Sequence, residues 1–325
     1  MFETSFERQS PLYDSNDLGY LQRADEQTLA TWAAYVARTP RAFYKSWQWN
    51  VNKWDTWNAS GTRLEDAVNA NTHVNLSSNW WLNAGATLGH IGSTTCDHCA
   101  RGGPPMRNDA QLFPWAAIQG DARRAVVPNL NGNWSFTDRG RSRSSTINPT
   151  VDLRVSSRFQ TSLGVLVGSN HDNTQWLGNF GDGAGKAFAF ARLQQQTRAL
   201  TLRTTYAATP SLSLETYAEP FASDGVYSDV RRLSDSPLAP AYGDRFAPYV
   251  PPPTVALRFG LRQLRATTVF RWEYAPASTV FVVWTHERNG DGLGLDGSWA
   301  ADGRDLFALR PINTLTVKAS YWISR

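Results

Sequence analysis

The feature that most constrains this chain is apolar alternation with a period of two, repeated in long segments. Ser77–Gly89 reads SSNWWLNAGATLG, and from Ser156 the chain reads SSRFQTSLGVLVG. Both open on Ser-Ser, and both place glycines at matching offsets, Gly85 and Gly89 in one and Gly164 and Gly168 in the other. Glycine this frequent is wrong for a helix interior, where each costs roughly 1 kcal/mol. Period two is the mark of a strand with one face buried. Alternation gives about thirteen strand segments: 27–38, 42–55, 63–77, 79–92, 109–121, 125–138, 144–156, 158–179, 186–207, 210–222, 262–275, 277–289 and 314–324. Most exceed the roughly 5–6 residues usual for globular strands. No amphipathic helix is expected. Thr28–Arg38 is the nearest case, and its Thr, Trp, Tyr and Val also suit a strand.

Each segment has an apolar and a polar side. Val68, Ala70, Val74 and Leu76 oppose Asn69, Asn71, His73 and Asn75. Val126, Leu130, Trp134 and Phe136 oppose Asn129, Asn131 and Asn133. Ile147, Val151, Leu153 and Val155 oppose Asn148, Asp152 and Arg154. Leu264, Phe270, Trp272 and Tyr274 oppose Arg265, Arg271 and Glu273. Leu315, Val317, Ala319, Tyr321 and Ile323 oppose Thr314, Thr316, Lys318, Ser320 and Trp322.

The connections decide what the apolar side faces. Those at 38–41, 77–78, 121–124, 156–157, 209–210 and 275–278 are tight. Those at 93–108, 223–261 and 290–313 are long and rich in Gly, Pro and Asp. Short turns at one end and long loops at the other characterise outer-membrane barrels. The two Ser-Ser repeats are then turns at the same end, each launching a strand in the same direction. Trp80, Trp81, Phe159, Trp272, Tyr274, Trp284, Tyr321 and Trp322 fall near strand ends, where interfacial girdles sit. Charged residues make up 18% of the chain, below the roughly 25% of soluble domains, and no apolar run approaches the ~20 residues of a transmembrane helix. The fold expected is all-β: an antiparallel transmembrane β-barrel of about 13 strands (roughly 12–16), one domain over 1–325, in the bacterial outer membrane.

By parity, strand 27–38 descends from the loop end, so a strand should precede it. The odd count and the lack of an apolar leader in MFETSFERQS point the same way. The chain is therefore expected to be the C-terminal part of a larger barrel, with an open seam.

Tyr13–Asp25 (YDSNDLGYLQRAD), Arg101–Met106 (RGGPPM), Ser211–Phe221 (SLSLETYAEPF), Phe270–Trp284 (FRWEYAPASTVFVVW) and Asn313–Trp322 (NTLTVKASYW) span nearly the whole chain. Together they resemble the C-terminal barrel domain of a bacterial family, domain of unknown function 5916, in which a family-nine-like carbohydrate-binding domain comes first. The resemblance implies an outer-membrane location and an upstream carbohydrate-binding β-sandwich. It carries no catalytic residue onto this chain.

The residues expected to line the lumen are Asn69, Asn71, His73, Asn75, Asn129, Asn131, Asn133, Asp152, Arg154, Arg265, Arg271 and Glu273. Arg on the lipid face costs about 2–4 kcal/mol at mid-depth, which turns Arg154 and Arg271 inward. The Pro-rich loop 223–261 is long enough to fold inward and narrow the lumen, and its VPPPTV run argues against a strand there. Cys96 and Cys99 read first as a disulfide pinning loop 93–108. Zinc would need more ligands than one Cys pair with His98 supplies, and free thiols stay open. Asn289–Gly297 has Asp291 and Asp296 as oxygen donors but lacks the spacing and closing Glu of an EF-hand.

His73, His90, His98, His171 and His286 form no recognisable triad. No cofactor, metal or catalytic residue is expected. The 32 basic and 28 acidic residues are scattered, which argues against nucleic acid. Expected partners are outer-membrane lipid and, through the upstream domain, glycans. The function expected is a surface platform or pore associated with carbohydrate binding or uptake. One alternative is a membrane-embedded hydrolase drawing on Asp97, His98, Asp172, Asp182, Asp291 and His286; another is a passive structural barrel.

Overall fold

The computed structural model describes every residue except 18, 20, 22, 292–297, 324 and 325, together with the side chain of residue 184. Its strands are β1 (Phe2–Gln9), β2 (Glu26–Ala37), β3 (Tyr44–Trp57), β4 (Arg63–Leu76), β5 (Trp81–Gly89), β6 (Thr94–Cys96), β7 (Met106–Asn108), β8 (Gln111–Gln119) and β9 (Val126–Thr137). They continue with β10 (Ser142–Arg154), β11 (Phe159–Phe180), β12 (Ala187–Thr209), β13 (Leu212–Leu233), β14 (Phe246–Pro248), β15 (Arg258–Ala275), β16 (Ser278–Asp291) and β17 (Ile312–Ser320). One α-helix, α1 (Trp299–Ala308), lies between β16 and β17.

Fifteen strands form one antiparallel sheet in the order β1-β2-β3-β4-β5-β8-β9-β10-β11-β12-β13-β15-β16-β17, with β14 pairing β13. β6 and β7 form a separate ribbon. All thirteen expected segments are strands. The pattern missed β1, whose short FETSFERQ run alternates only weakly, and the three-residue strands β6, β7 and β14. β1 is the ascending partner that parity required before β2, and it corrects the odd strand count to fourteen on the main path.

The sheet does not close into a barrel. β1 and β17 each pair on one side only, and every residue of β17 is exposed. Alternation determines which way side chains point, but not whether two edges meet. The expected helix-free chain is also corrected. The Ser298 side chain accepts from Ala301 N at 3.1 Å and caps α1. Gly303 and the acidic residues inside α1 hide its pattern from a periodicity reading. The loop placed at 223–261 is shorter, because β13 runs on to Leu233 and β15 begins at Arg258.

Direct cross-strand partners share a face. One row runs Ala34–Asn50–Asn71–Gly85–Trp115–Asn133–Thr146–Gly168–Thr197–Ser223–Leu261–Asp291. The next row, on the opposite face, runs Tyr35–Trp49–Thr72–Ala84–Ala116–Gly132–Ile147–Val167–Arg198–Ala222–Arg262–Gly290. Both rows begin near the turn end of β2 and finish near the loop end of β16, so the register shifts steadily toward the loop end along the sheet. The second face is apolar and open, with Leu130, Ile147, Leu163, Leu214 and Val317 all exposed.

All the tight turns of the sequence reading lie at one end. The 90–110 and 234–257 connections and α1 lie at the other. β11, β12 and β13 have 22, 23 and 22 residues, about twice the ~9–11 that span a bilayer. Their excess rises at the loop end. Of the expected girdle, Phe159, Trp272, Tyr274 and Trp284 belong to the apolar face, whereas Trp81 pairs with Asn75 and Gln119 on the polar one. No described helix is long and apolar enough to cross a membrane.

Candidate functional site

The polar face is built around an amide ladder on β3 and β4. Asn50 Nδ2 donates to Asn71 Oδ1 at 2.7 Å, and Asn71 Nδ2 to Asn69 Oδ1 at 2.6 Å. Asn52 Nδ2 donates to Asn69 Oδ1 at 3.1 Å, and Asn69 Nδ2 to Thr87 Oγ1 at 2.9 Å. His73 lies 2.8 Å from Asn83 Oδ1 and 3.1 Å from Asn71 Oδ1. Amides suit such a ladder because each carries both donors and acceptors. Gly85 makes room for the Trp115 indole beside it; a Cβ there would stand 2.7 Å from Asn71 Cβ and 2.9 Å from Trp115 Nε1.

The same face carries charge further round. Asn129 Nδ2 donates to Asp152 Oδ2 at 3.1 Å, and Arg271 Nη2 to Glu273 Oε2 at 2.9 Å. Arg265 stands between Glu219 and Glu287 in the ladder. Arg154 reaches the Ala122 carbonyl in the adjacent turn.

At the loop end a roof covers part of the sheet. Loop 90–110 starts against β4, beside which β6 lies, and reaches over to pack on β11–β13. Cys96, Ala100 and Met106 meet Phe190, Leu233 and Phe246 in a small apolar core. Cys96 and Cys99 are joined by a disulfide. Arg101 stacks over Trp176 at 4.0 Å, and Asn179 Nδ2 donates to the Arg101 carbonyl at 2.9 Å. Arg245, 2% exposed, ties the two loops together: it pairs with Asp109 at 3.0 Å and donates to the Ala239 and Pro240 carbonyls.

Beneath the roof lies a cleft of about 350 Å3 whose lining includes His98, Asp138, Asp172, Gln175, Trp176 and Tyr242. Asp138 accepts from Ser142 Oγ at 2.5 Å and from the Thr174 hydroxyl. Thr174 N donates to Asp172 Oδ1 at 2.7 Å. Burial, with Asp138 adding to it, pushes the Asp172 carboxyl above the usual carboxylate range. Asp172 lies beyond the apolar band, in the projecting part of β11.

Residues 1–324 match a family model described as Domain of unknown function (DUF5916). The chain belongs to the DUF5916 family. Comparison with curated proteins and with solved structures gave no match.

In this DUF5916 chain the register brings all twelve sequence-derived polar candidates, Asn69 through Glu273, onto one face of the sheet. Sequence reasoning missed Gln48, Asn50 and Asn52, although the alternation WQWNVN in β3 carries the signal. It also missed Asn83, Arg203, Tyr217 and Glu219, which lie on that face in β5, β12 and β13. The six hydrolase candidates do not converge. His98 and Asp172 line the roof cleft, but Asp97 is held by Arg23 at 2.5 and 2.7 Å. The Arg23 guanidinium lowers the Asp97 carboxyl to about 2. His286 bonds Asn313 Oδ1 at 2.8 Å on the apolar face, and Asp182 and Asp291 are exposed. Asp296 and most of the 289–297 segment lie outside the described residues. The His98 ring stands close to Cys96 and Cys99, but a disulfide's sulfurs are not thiolate ligands.

Proposed function

We propose that this DUF5916 chain forms the wall of an outer-membrane β-barrel. Its polar face lines a water-filled passage, and its loop end carries a roof facing the outside. The observation that carries this reading is the face assignment that the register carries from strand to strand: a band of exposed apolar residues on one side, amides and charges on the other. A soluble sheet would cover such an apolar face, since contiguous exposed apolar patches beyond a few hundred Å2 are rare in soluble monomers. In lipid the same face needs no cover. Unpaired strand edges do not persist there, so β1 and β17 require partner strands: each other, or strands from another segment.

As a surface platform or pore, the barrel would act on carbohydrate binding or uptake together with an upstream recognition domain. That part rests on the family resemblance. The hydrolase alternative lacks a converging set of residues among those described.

The test is to refold the chain with phosphatidylcholine vesicles, then measure flotation and resistance to SDS before and after boiling. Co-flotation with a band that shifts on boiling supports the reading. A protein that stays in the aqueous fraction and runs identically heated or unheated sinks it. In vesicles that pass flotation, conductance separates an open passage from a passive wall.

A further inference from the structure

The helix α1 lies on the apolar face of the sheet, not over its polar side. At its level the row Ile147–Val167–Arg198–Ala222–Arg262 places two arginines among apolar side chains. Asp302 of α1 answers both, bonding Arg198 Nη1 and Arg262 Nη2 at 2.8 Å each. Asp224 takes Arg262 Nη1 at 2.8 Å. All four side chains are buried. The helix is held at both ends: Ser298 caps its start, and Arg288 Nη1 donates to the Phe307 and Leu309 carbonyls at 2.6 Å. Leu309 fits against Gly290, where a Cβ would stand 2.6 Å from Leu309 Cδ2. Meanwhile Trp299 and Phe307 remain exposed, with the Arg288 guanidinium 5.5 Å from the Phe307 ring.

Between α1 and β12–β13 lies a narrow, almost wholly apolar cavity of about 110 Å3, lined by Leu200, Pro220, Ala222, Trp299, Leu306 and Phe307. The strand directions orient it. On β12, Arg198 stands on the loop side of Leu200; on β13, Ala222 stands on the loop side of Pro220. The ion pairs therefore close the groove toward the loops. Its apolar side is continuous with the band formed by Leu163, Leu200 and Leu202.

We propose that this groove takes one acyl chain of a membrane lipid, with Trp299 and Phe307 at the level of the headgroups. The inference rests on the outer-membrane reading above. Three features select the occupant. The groove is continuous with the apolar wall. Among the described residues its polar boundary is Arg198 and Asp302, and ion pairs neutralise both. At about 110 Å3 the groove holds a few methylenes, a short stretch of one linear chain whose remainder would run along the apolar wall. Indole and phenyl groups at an interface complete such a site, because aromatic residues concentrate at headgroup depth.

The experiment reconstitutes the full chain in palmitoyl-oleoyl phosphatidylcholine vesicles, extracts it in mild detergent and counts retained lipids by native mass spectrometry. Gly303 lines the groove and has nothing within 4 Å of where a Cβ would stand. Gly303→Leu therefore fills the groove without strain, and leucine favours a helix over glycine. The wild type is expected to retain one lipid more than Gly303→Leu, with equal vesicle flotation of both. In parallel, the fluorescence difference between wild type and Trp299→Phe should be quenched at least ~2-fold more by acyl-brominated lipid than by aqueous acrylamide. Equal lipid counts, or a Trp299 signal quenched mainly from water, overturn the groove assignment while leaving the barrel intact. Failure of the wild type to float overturns the membrane reading itself.

Discussion

Asn148 and Pro149 show how single residues repair a sheet. Proline lacks the N–H that a central strand must donate, and the β10–β11 pairing is interrupted at Asn148 and Pro149. The Val165 carbonyl opposite is not orphaned, because Asn148 Nδ2 donates to it at 2.8 Å. Asn148→Leu should destabilise the sheet by about 1–3 kcal/mol, the usual cost of an unsatisfied buried acceptor, read as a lower denaturation midpoint with unchanged slope. Asp172 makes the opposite kind of statement. Its folded-state pKa is raised, so the folded chain binds more protons than the unfolded one above the ordinary carboxylate pKa of about 3.9. Stability from this group therefore falls as pH rises from that value through its raised pKa. Asp172→Asn, which keeps the Oδ1 acceptor for Thr174 N, should raise the melting temperature at pH 7 and change little at pH 4. An equal shift at both pH values would contradict the burial argument.

At the scale of elements, the loop end is held by buried charge and a small covalent ring. Removing one partner of a buried ion pair costs about 3–5 kcal/mol, and Asp302 serves two arginines at once. Asp302→Asn should therefore release α1, seen as faster amide exchange over 299–308 with the strands unchanged. The Cys96–Cys99 bridge closes a four-residue ring. The chain-entropy model gives such a ring about 2 kcal/mol, and that constraint falls on the roof, since the sheet ladder does not pass through it. Reductant should raise protease cleavage within 90–110 while leaving the amide-exchange protection of the sheet strands unchanged. Acid loosens the same loop differently. The Asp97 carboxyl, held to about 2 by Arg23, contributes stability above pH ~4 that is lost as pH falls through 2. The pair is partly exposed, so salt should weaken it.

For the whole molecule, the open seam is the decisive property. β1 and β17 present unpaired N–H and C=O groups along their outer edges, the form of edge that templates association. In detergent micelles, the outward amides of both strands should exchange fast, unlike those of β4 or β12. Slow exchange at both edges would mean that the seam is paired in solution. Fourteen strands on the main path run alternately up and down, so β1 and β17 are antiparallel and could join without a parallel pair.

What the sequence determined by itself is the set of strands and the face of each side chain. Period two is a local property: strand geometry turns successive side chains to opposite sides whatever the partner. That is why Asn69–Asn75 and Arg271–Glu273 could be assigned before any pairing was known. A few places failed locally. β1 is short and polar, and α1 carries Gly303 and acidic residues that blur its periodicity. Tertiary structure alone decided the rest. Which amide meets which, as in Asn50 with Asn71, depends on register between strands. Arg198, Arg262 and Asp302 come from three distant segments, and nothing local links them. The hydrolase candidates separated for the same reason: chemical type is written residue by residue, whereas convergence depends on how far each strand climbs past its neighbour. Whether the sheet closes is likewise a property of its two far edges, and no local pattern along the chain encodes the distance between them.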